Sequence, residues 1–315
     1  MNERLYERVR ERLEHEPGLI SIVAHENPDG DAVGSALALY LFLRKKGKRT
    51  VPVCATRIPP RYDFMLGFSD FTGQLPGETS LVVIIDAPDT GRAGLSWEGP
   101  VIRIDHHEEG IINDLVLLDT AAASTGNILL DFLRHWDESA IDSGIATCLY
   151  TAIFTDTNSF NIRTDARVLR DAAWLLEKGI DGHRIADLIY RRRTWAYLRL
   201  LGLALSGISI EMEGRFALVV LSREDFKSTG ARGHEAENLV EFPFSVEGVM
   251  IAAKVQQDGE RWRVSLRSRG AVSAEAVAKA LGGGGHRNAA GAVVSGELED
   301  VLARLRAAVK EELAG

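Results

Sequence analysis

The chain has 315 residues, 45 % of them hydrophobic, and carries 37 Lys and Arg against 45 Asp and Glu for a formal net charge of -8. That length predicts two domains, each able to bury its own core. With no apolar run of about 18 residues and a charged first stretch, neither a membrane span nor a secretory signal is expected. The net acidity also excludes a protein that grips long nucleic acid chiefly by neutralising phosphates.

In chain order, Leu5, Val9 and Leu13 at spacing four mark an amphipathic opening helix, followed by LISIVA at residues 19–24, an apolar run that reads as a buried strand. The polar stretch HENPDGD comes next, then a helical pattern, AVGSALALYLFLRKKG, with Asp31 near its start and Gly47 past its basic end. TVPVCA, LVVIID and VIRID are three more strand candidates without strict alternation, as expected of a sheet covered on both faces. Strands that alternate with helices predict an α/β domain built on a mostly parallel, doubly wound sheet. Helical patterns dominate from TGNILLDFLRHW to HRIADLIY. Near Arg191 the character changes, and a smaller α+β domain is expected beyond a connecting helix. The boundaries read 1–190 for the first domain, 191–206 for the linker helix and 207–315 for the second domain. Cys54 and Cys148 lie far apart in apolar surroundings, which suggests buried reduced thiols and a cytoplasmic protein.

Ligands of an open parallel sheet bind beyond the carboxyl ends of its strands, and the unusual residues of this chain cluster there. LISIVA runs into His25, Asn27, Asp29 and Asp31; LVVII ends in Asp86, with Asp89 and Arg92 beyond; VIRI ends in Asp105, His106 and His107. Asp156 follows a helical run. Taken singly, Asp31 reads as a helix N-cap and Asp29 as a turn residue. Three successive strand ends with Asp or His are poorly explained that way, because carboxylates gathered at one edge repel one another unless a cation lies among them. Oxygen-rich ligands with a few imidazoles and no thiolate suit manganese or magnesium, with cobalt or iron possible, and a metal pair is a recurring device for hydrolysing phosphate esters. From Arg261 to Arg287 the chain reverses its overall charge, with Arg261, Arg263, Arg267, Arg269, Lys279 and Arg287 against Glu275 alone. Four glycines, 282–285, read as a flexible turn whose amides could also cradle an anion.

HENPDGDAVGS, IIDAPDTGR, DHH and TDTNSF, in that order, resemble the four metal-site motifs of the DHH phosphoesterase superfamily, and GGGGHRNAAG resembles the signature of the domain that follows them. The two-domain size is most similar to the nanoRNase and pAp-phosphatase branch, which implies hydrolysis of short oligoribonucleotides to mononucleotides, or of 3′-phosphoadenosine 5′-phosphate (pAp) to AMP, by hydroxide attack on phosphorus. The resemblance implies two divalent ions, manganese foremost, in a cleft between the domains. His25 and Asp29 would hold one ion and Asp31, His106 and Asp156 the other, with Asp86 bridging. His107 would face the scissile phosphate, binding an oxygen or assisting the leaving group, with Asp105 orienting the neighbouring loop and both counted, with Asp31, as catalytic. Arg92, Arg267, Ser268, Arg269, Gly283, Gly284, Gly285 and His286 would bind substrate. A homodimer is the state common in the family. The family often has Gly where this chain has Asn158, which bears on the loop after Asp156. Competing readings are a cyclic- or linear-dinucleotide phosphodiesterase and a nucleotide-binding sensor that keeps the fold without catalysis.

Overall fold

The computed structural model describes residues 3–107 and 115–314. The chain forms two compact units, Met1–Arg192 and Arg193–Gly315. In the first, α1 (Glu3–Glu14) precedes β1 (Leu19–Ala24), α2 (Gly30–Lys45), β2 (Thr50–Val53), β3 (Thr79–Ile85), β4 (Val101–Asp105) and β5 (Leu115–Leu118). Four helices follow without further strands: α3 (Thr125–Asp137), α4 (Ser143–Asp156), α5 (Ala166–Glu177) and α6 (Gly182–Tyr190). The five strands are all parallel, in the order β2-β1-β3-β4-β5. This order reverses direction between β1 and β3, the switch point at which open α/β sheets bind ligands. β5, formed by LVLL, has no counterpart among the sequence-based strands.

The two faces of this sheet are covered differently. Ile20, Ile22, Leu81, Val83, Ile102 and Ile104 form one core with the helices. Val23, Val82 and Ile84, on the other face, pack against Ala87, Ala93, Leu95 and Trp97 from the β3–β4 connection. The strand order is thus that of a doubly wound sheet, with a loop segment covering this second face.

α2 is buried on nearly every side, and α4 lies against it. A Cβ at Gly34 would stand 2.5 Å from the Cys148 carbonyl oxygen, so only glycine permits this approach. The start of α2 meets the end of α4, where Gly30 abuts Thr155. That contact brings Asp31 and Asp156, distant in sequence, to one place.

The second unit begins with α7 (Trp195–Ser206), whose Tyr197, Leu200 and Ala204 pack with Val219, Leu221 and Leu239. Then come β6 (Ser209–Glu211), β7 (Phe216–Leu221), α8 (Arg223–Thr229), α9 (Glu241–Phe244), β8 (Ile251–Asp258), β9 (Arg261–Ser268), α10 (Ala274–Ala280), β10 (Gly284–His286), β11 (Ala289–Ser295) and α11 (Leu298–Ala314). They give a six-stranded mixed sheet, β10-β11-β9-β8-β7-β6. β9 alternates strictly: Trp262, Val264 and Leu266 face the core with α10 and α11, while Arg261, Arg263 and Arg267 point away.

The glycine run is not an open turn. Gly284, Gly285 and His286 pair antiparallel with β11 as an edge strand. A Cβ at Gly283 would lie 2.1 Å from the Gly291 carbonyl oxygen, and one at Gly284 would meet nothing within 4 Å. Close strand approach therefore accounts for Gly283 and leaves Gly284 without a packing reason.

Candidate metal centre

The carboxyl ends of β1, β3 and β4 deliver His25, Asp86 and His106, and the helix termini supply the rest. Asp29 is the N-cap of α2: its Oδ1 accepts from the amides of Asp31 and Ala32, both at 3.0 Å. From sequence alone that cap reads as Asp31. Asp31 instead lies inside the first turn, 1 % exposed, and its carboxylate accepts from Thr125 N at 2.7 Å, Gly126 N at 2.9 Å and Ser35 Oγ at 3.0 Å. The amides at the start of α3 thus fix it, a contribution that nothing in the spacing announces. Asp86 has φ +58°, a left-handed conformation uncommon outside glycine, and accepts from Thr125 Oγ1 at 2.9 Å. Asp156 ends α4, where the helix dipole disfavours a carboxylate.

Ligand atoms converge in three overlapping groups: His25, Asp29 and Asp86; Asp31, His106 and Asp156; and Asp86, His106 and His107. Within each, one ligand atom per residue lies within 4.8 Å of the others. His25 Nδ1 is 2.8 Å from the Glu26 carbonyl oxygen, which can only accept, so Nε2 is the nitrogen turned toward Asp86 Oδ2 at 3.8 Å. His106 likewise sets Nδ1 toward the Ala122 carbonyl at 3.5 Å and Nε2 toward Asp86 Oδ1 at 3.5 Å and Asp156 Oδ2 at 3.7 Å. Anchoring one ring nitrogen on a carbonyl while the other faces a cation is the usual arrangement of metal-bound histidine.

The electrostatics are those of a site short of positive charge. Burial, then the charge of Asp156 and Asp29, holds the Asp31 carboxyl well above its ordinary range, against the pull of the Thr125 and Gly126 amides. Burial and then the charges of Asp31, Asp29 and Asp156 do the same to Asp86. Asp156 is pushed up to about 7, first by burial and then by Asp29. Burial first, then the neighbouring His107 and Arg163, lowers His106 to about 4, which leaves a neutral imidazole. Its Nε2 lone pair then faces carboxylate oxygens. Asp156 Oδ2 is buried and accepts no hydrogen bond among the described residues. Acceptors facing acceptors at this distance, with one orphaned, fit a divalent cation of the oxygen-preferring kind.

Behind the cluster, Asp105 is fully buried and saturated. Oδ1 accepts from His106 N at 2.7 Å, His107 N at 3.1 Å and His107 Nδ1 at 2.7 Å, and Oδ2 accepts from the guanidinium of buried Arg103. Burial alone would raise its carboxyl, but the hydrogen bonds of His107 and Arg103 outweigh it and the net shift is downward. Asp105 thereby holds the backbone and ring of His107, and that ring stands edge-on to His106 with centroids 4.4 Å apart. Arg103, an unremarked charge in an apolar strand, completes this support by donating to the His107 carbonyl at 2.9 Å.

Other expected site residues fall outside the cluster. Arg92 is exposed; its carbonyl accepts from Glu26 N at 3.3 Å, tying the 89–92 turn to the His25 loop. Asp89 caps that turn through Arg92 N. In the second unit Arg267 donates to Glu241 Oε1 at 2.6 Å, and Arg269 binds the Phe244 carbonyl and lies 4.1 Å from the centroid of its ring. Ser268 is buried and its hydroxyl is engaged by backbone, donating to the Arg287 carbonyl and accepting from Ala274 N. Gly283, Gly284 and Gly285 line the start of the β10 hairpin, and His286 ends that strand, its side chain outside the described set. Asn158 has φ +46°, the left-handed conformation that Asn tolerates better than most residues, so the turn a glycine would make is kept.

A chain with this sheet order and this ligand set has relatives of known class. The sequence pattern of the DHH family, N-terminal domain, matches residues 19–153, and that of the DHHA1 domain matches 218–315. The chain is 35 % identical, over 97 % of its length and 93 % of the relative's, to the bifunctional oligoribonuclease and PAP phosphatase NrnA of Thermus thermophilus. It belongs to the DHH family of phosphoesterases. A second relative, the cyclic-di-AMP phosphodiesterase GdpP of Bacillus subtilis, is 24 % identical over 94 % of this chain, which spans 48 % of that protein. Among solved structures, an exopolyphosphatase-related protein from Bacteroides fragilis superposes with a TM-score of 0.92 at 25 % identity, covering 98 % of this chain and 96 % of the other. No described helix is long and apolar enough to cross a membrane.

Proposed function

We propose that the chain is a manganese-dependent phosphoesterase that cleaves short oligoribonucleotides to mononucleotides and pAp to AMP. The observation that carries this reading is the packing of Asp31, Asp86 and Asp156 against one another with imidazole nitrogens facing them. His25 and Asp29 would hold one divalent ion and Asp31, His106 and Asp156 a second, with Asp86 shared. Two cations so held supply the positive charge that phosphate-ester hydrolysis requires.

The chain's own residues do the remaining work. Asp105 fixes the His107 ring through the hydrogen bond at Nδ1, which in this reading holds the imidazole toward the substrate phosphate. Thr125 and Gly126 hold Asp31 in one orientation, so the ligand set is preorganised before an ion arrives. Arg267, Arg269 and the exposed edge at Gly284 of the second unit bind nucleotide in this reading. The buried free thiols Cys54 and Cys148 suit a reducing cytoplasm.

The test is turnover of pAp and of a diribonucleotide with added manganese by the wild type, Asp31→Ala and His106→Ala. Loss in both variants is expected; equal turnover in all three would remove the reading. The match to GdpP over nearly the whole chain favours, as a second reading, action on cyclic or linear dinucleotides. Side-by-side rates on pAp, a linear and a cyclic dinucleotide separate the two. Tight nucleotide binding without hydrolysis across manganese, magnesium and cobalt would mark a sensor instead.

A further inference from the structure

Arg163 lies beside the cluster, seven residues beyond Asp156 in the loop that joins α4 to α5, and no role in the ligand set falls to it. Its Nη2 donates to the Ala122 carbonyl at 3.1 Å, the same oxygen that faces His106 Nδ1. Its Nη1 stands 3.7 Å from Asp156 Oδ2, too long for a hydrogen bond. The side chain is 45 % exposed, and its hydrogen bond is the one from Nη2 to Ala122.

The loop is built to place it there. Asn158, Ser159 and Phe160 take successive left-handed conformations with φ of +46°, +61° and +63°, and Arg163 itself has φ +50°. Such backbone is strained for residues with a Cβ and persists only where its surroundings over-determine it. Here they do. Thr157 N and Oγ1 both donate to the Ile153 carbonyl, Asn161 N and Ile162 N both donate to the Thr157 carbonyl, and Phe160 N donates to Thr157 Oγ1. Phe160 packs edge-on against Tyr150 and Phe154. The segment so pinned ends in an arginine whose Nη1 lies 3.7 Å from Asp156 Oδ2 at the cluster.

We propose that Arg163 is an anion clamp: its free N–H groups donate to non-bridging oxygens of the phosphate held at the cluster. The inference rests on the phosphoesterase reading and deepens it by naming a residue that selects the substrate's phosphate. Anchorage on Ala122 fixes the guanidinium plane, and an arginine fork matches two phosphate oxygens where a lysine ammonium would meet them as a point charge. A terminal phosphomonoester carries close to two charges and an internal diester one, so the clamp favours pAp-like ends over internal linkages.

Arg163→Gln and Arg163→Lys test this with three readouts. Calorimetry with manganese alone reports ion affinity; calorimetry with AMP at saturating manganese reports phosphate binding without turnover; and kcat and KM on pAp and on a diribonucleotide report selection. The expected result is manganese affinity within about threefold of wild type, AMP affinity lower by about 10- to 100-fold in the Gln variant, and partial recovery in the Lys variant. KM for pAp rises more than KM for the diribonucleotide. Unchanged AMP affinity overturns the proposal. So does a fall in manganese affinity whose effects vanish at high manganese, since Arg163 would then only position Asp156. Should the Gln variant fail to fold, the Lys variant carries the comparison. A wild type that binds manganese and AMP but hydrolyses neither substrate ends the phosphoesterase reading, while the AMP titration still judges the clamp.

Discussion

Two regions of this chain gather charge, and they do so in opposite ways. At the edge of the first sheet, Asp31 and Asp86 are 1 % and 4 % exposed, press on each other and on Asp156, and stay short of donors for their combined charge. On the second sheet, Arg267 and Arg269 are wholly or partly open to water and already have partners, Glu241 for one and the Phe244 carbonyl and ring for the other. A solvated, paired arginine costs little and so admits many explanations. Buried like charges are expensive, and few arrangements other than a bound cation make sense of them.

That contrast can be broken by mutation. Asp86→Ala, which touches two of the three ligand groups, is expected to lower kcat on pAp by on the order of a thousandfold at saturating manganese. Arg267→Ala is expected to raise KM by about tenfold and to move stability by less than about 1 kcal/mol. Comparable losses from the two variants would erase the distinction drawn between the regions.

Metal removal sharpens it. Manganese at a hundredfold excess over its Kd should stabilise the wild type by about 2.7 kcal/mol per site, read as a rise in Tm that Asp31→Asn reduces. Without metal, Asp31, Asp86 and Asp156 bind protons more readily folded than unfolded. Their contribution to stability is therefore full below the ordinary carboxylate pKa and lost as pH rises, for Asp156 through about 7. Chelated protein should thus melt higher at mildly acidic pH than above neutrality, and manganese should remove that slope. A flat profile with chelator would show that the carboxylates are compensated from within the protein.

The smallest effect concerns the glycine run. Gly283→Ala should cost about 1–3 kcal/mol by forcing β10 from Gly291, whereas Gly284→Ala should leave the unfolding free energy within about 0.5 kcal/mol. If Gly284→Ala nonetheless raises KM for pAp, the exposed strand edge contacts nucleotide.

Much of the cluster could be read before the structure because a parallel sheet sends every strand end to one edge. Asp86 and His106 needed only their places after LVVII and VIRI. What stayed hidden depended on contacts between distant segments. The exchange of roles between Asp29 and Asp31 follows from the amides of Thr125 and Gly126, nearly a hundred residues on, which claim the second carboxylate and leave the cap to the first. β10 carries no side-chain pattern, since a strand made of Gly284, Gly285 and His286 looks like a turn in sequence. Nothing in VIRID announces the burial of Arg103, which depends on Asp105 accepting from its guanidinium. Arg163 goes unannounced in the sequence for another reason: its placement depends on left-handed Ser159 and Phe160, which no local propensity favours.

Gly34 meets no candidate ligand, yet it sets the gap between the helices that carry Asp31 and Asp156. A single added methyl would press α2 away from Cys148 and Ala152 of α4 and so disturb the packing that brings Asp31 and Asp156 together. In the proposed metal reading, Gly34→Ala is therefore expected to shift the ratio of calcium to manganese affinity toward the larger ion, read by calorimetry with each ion.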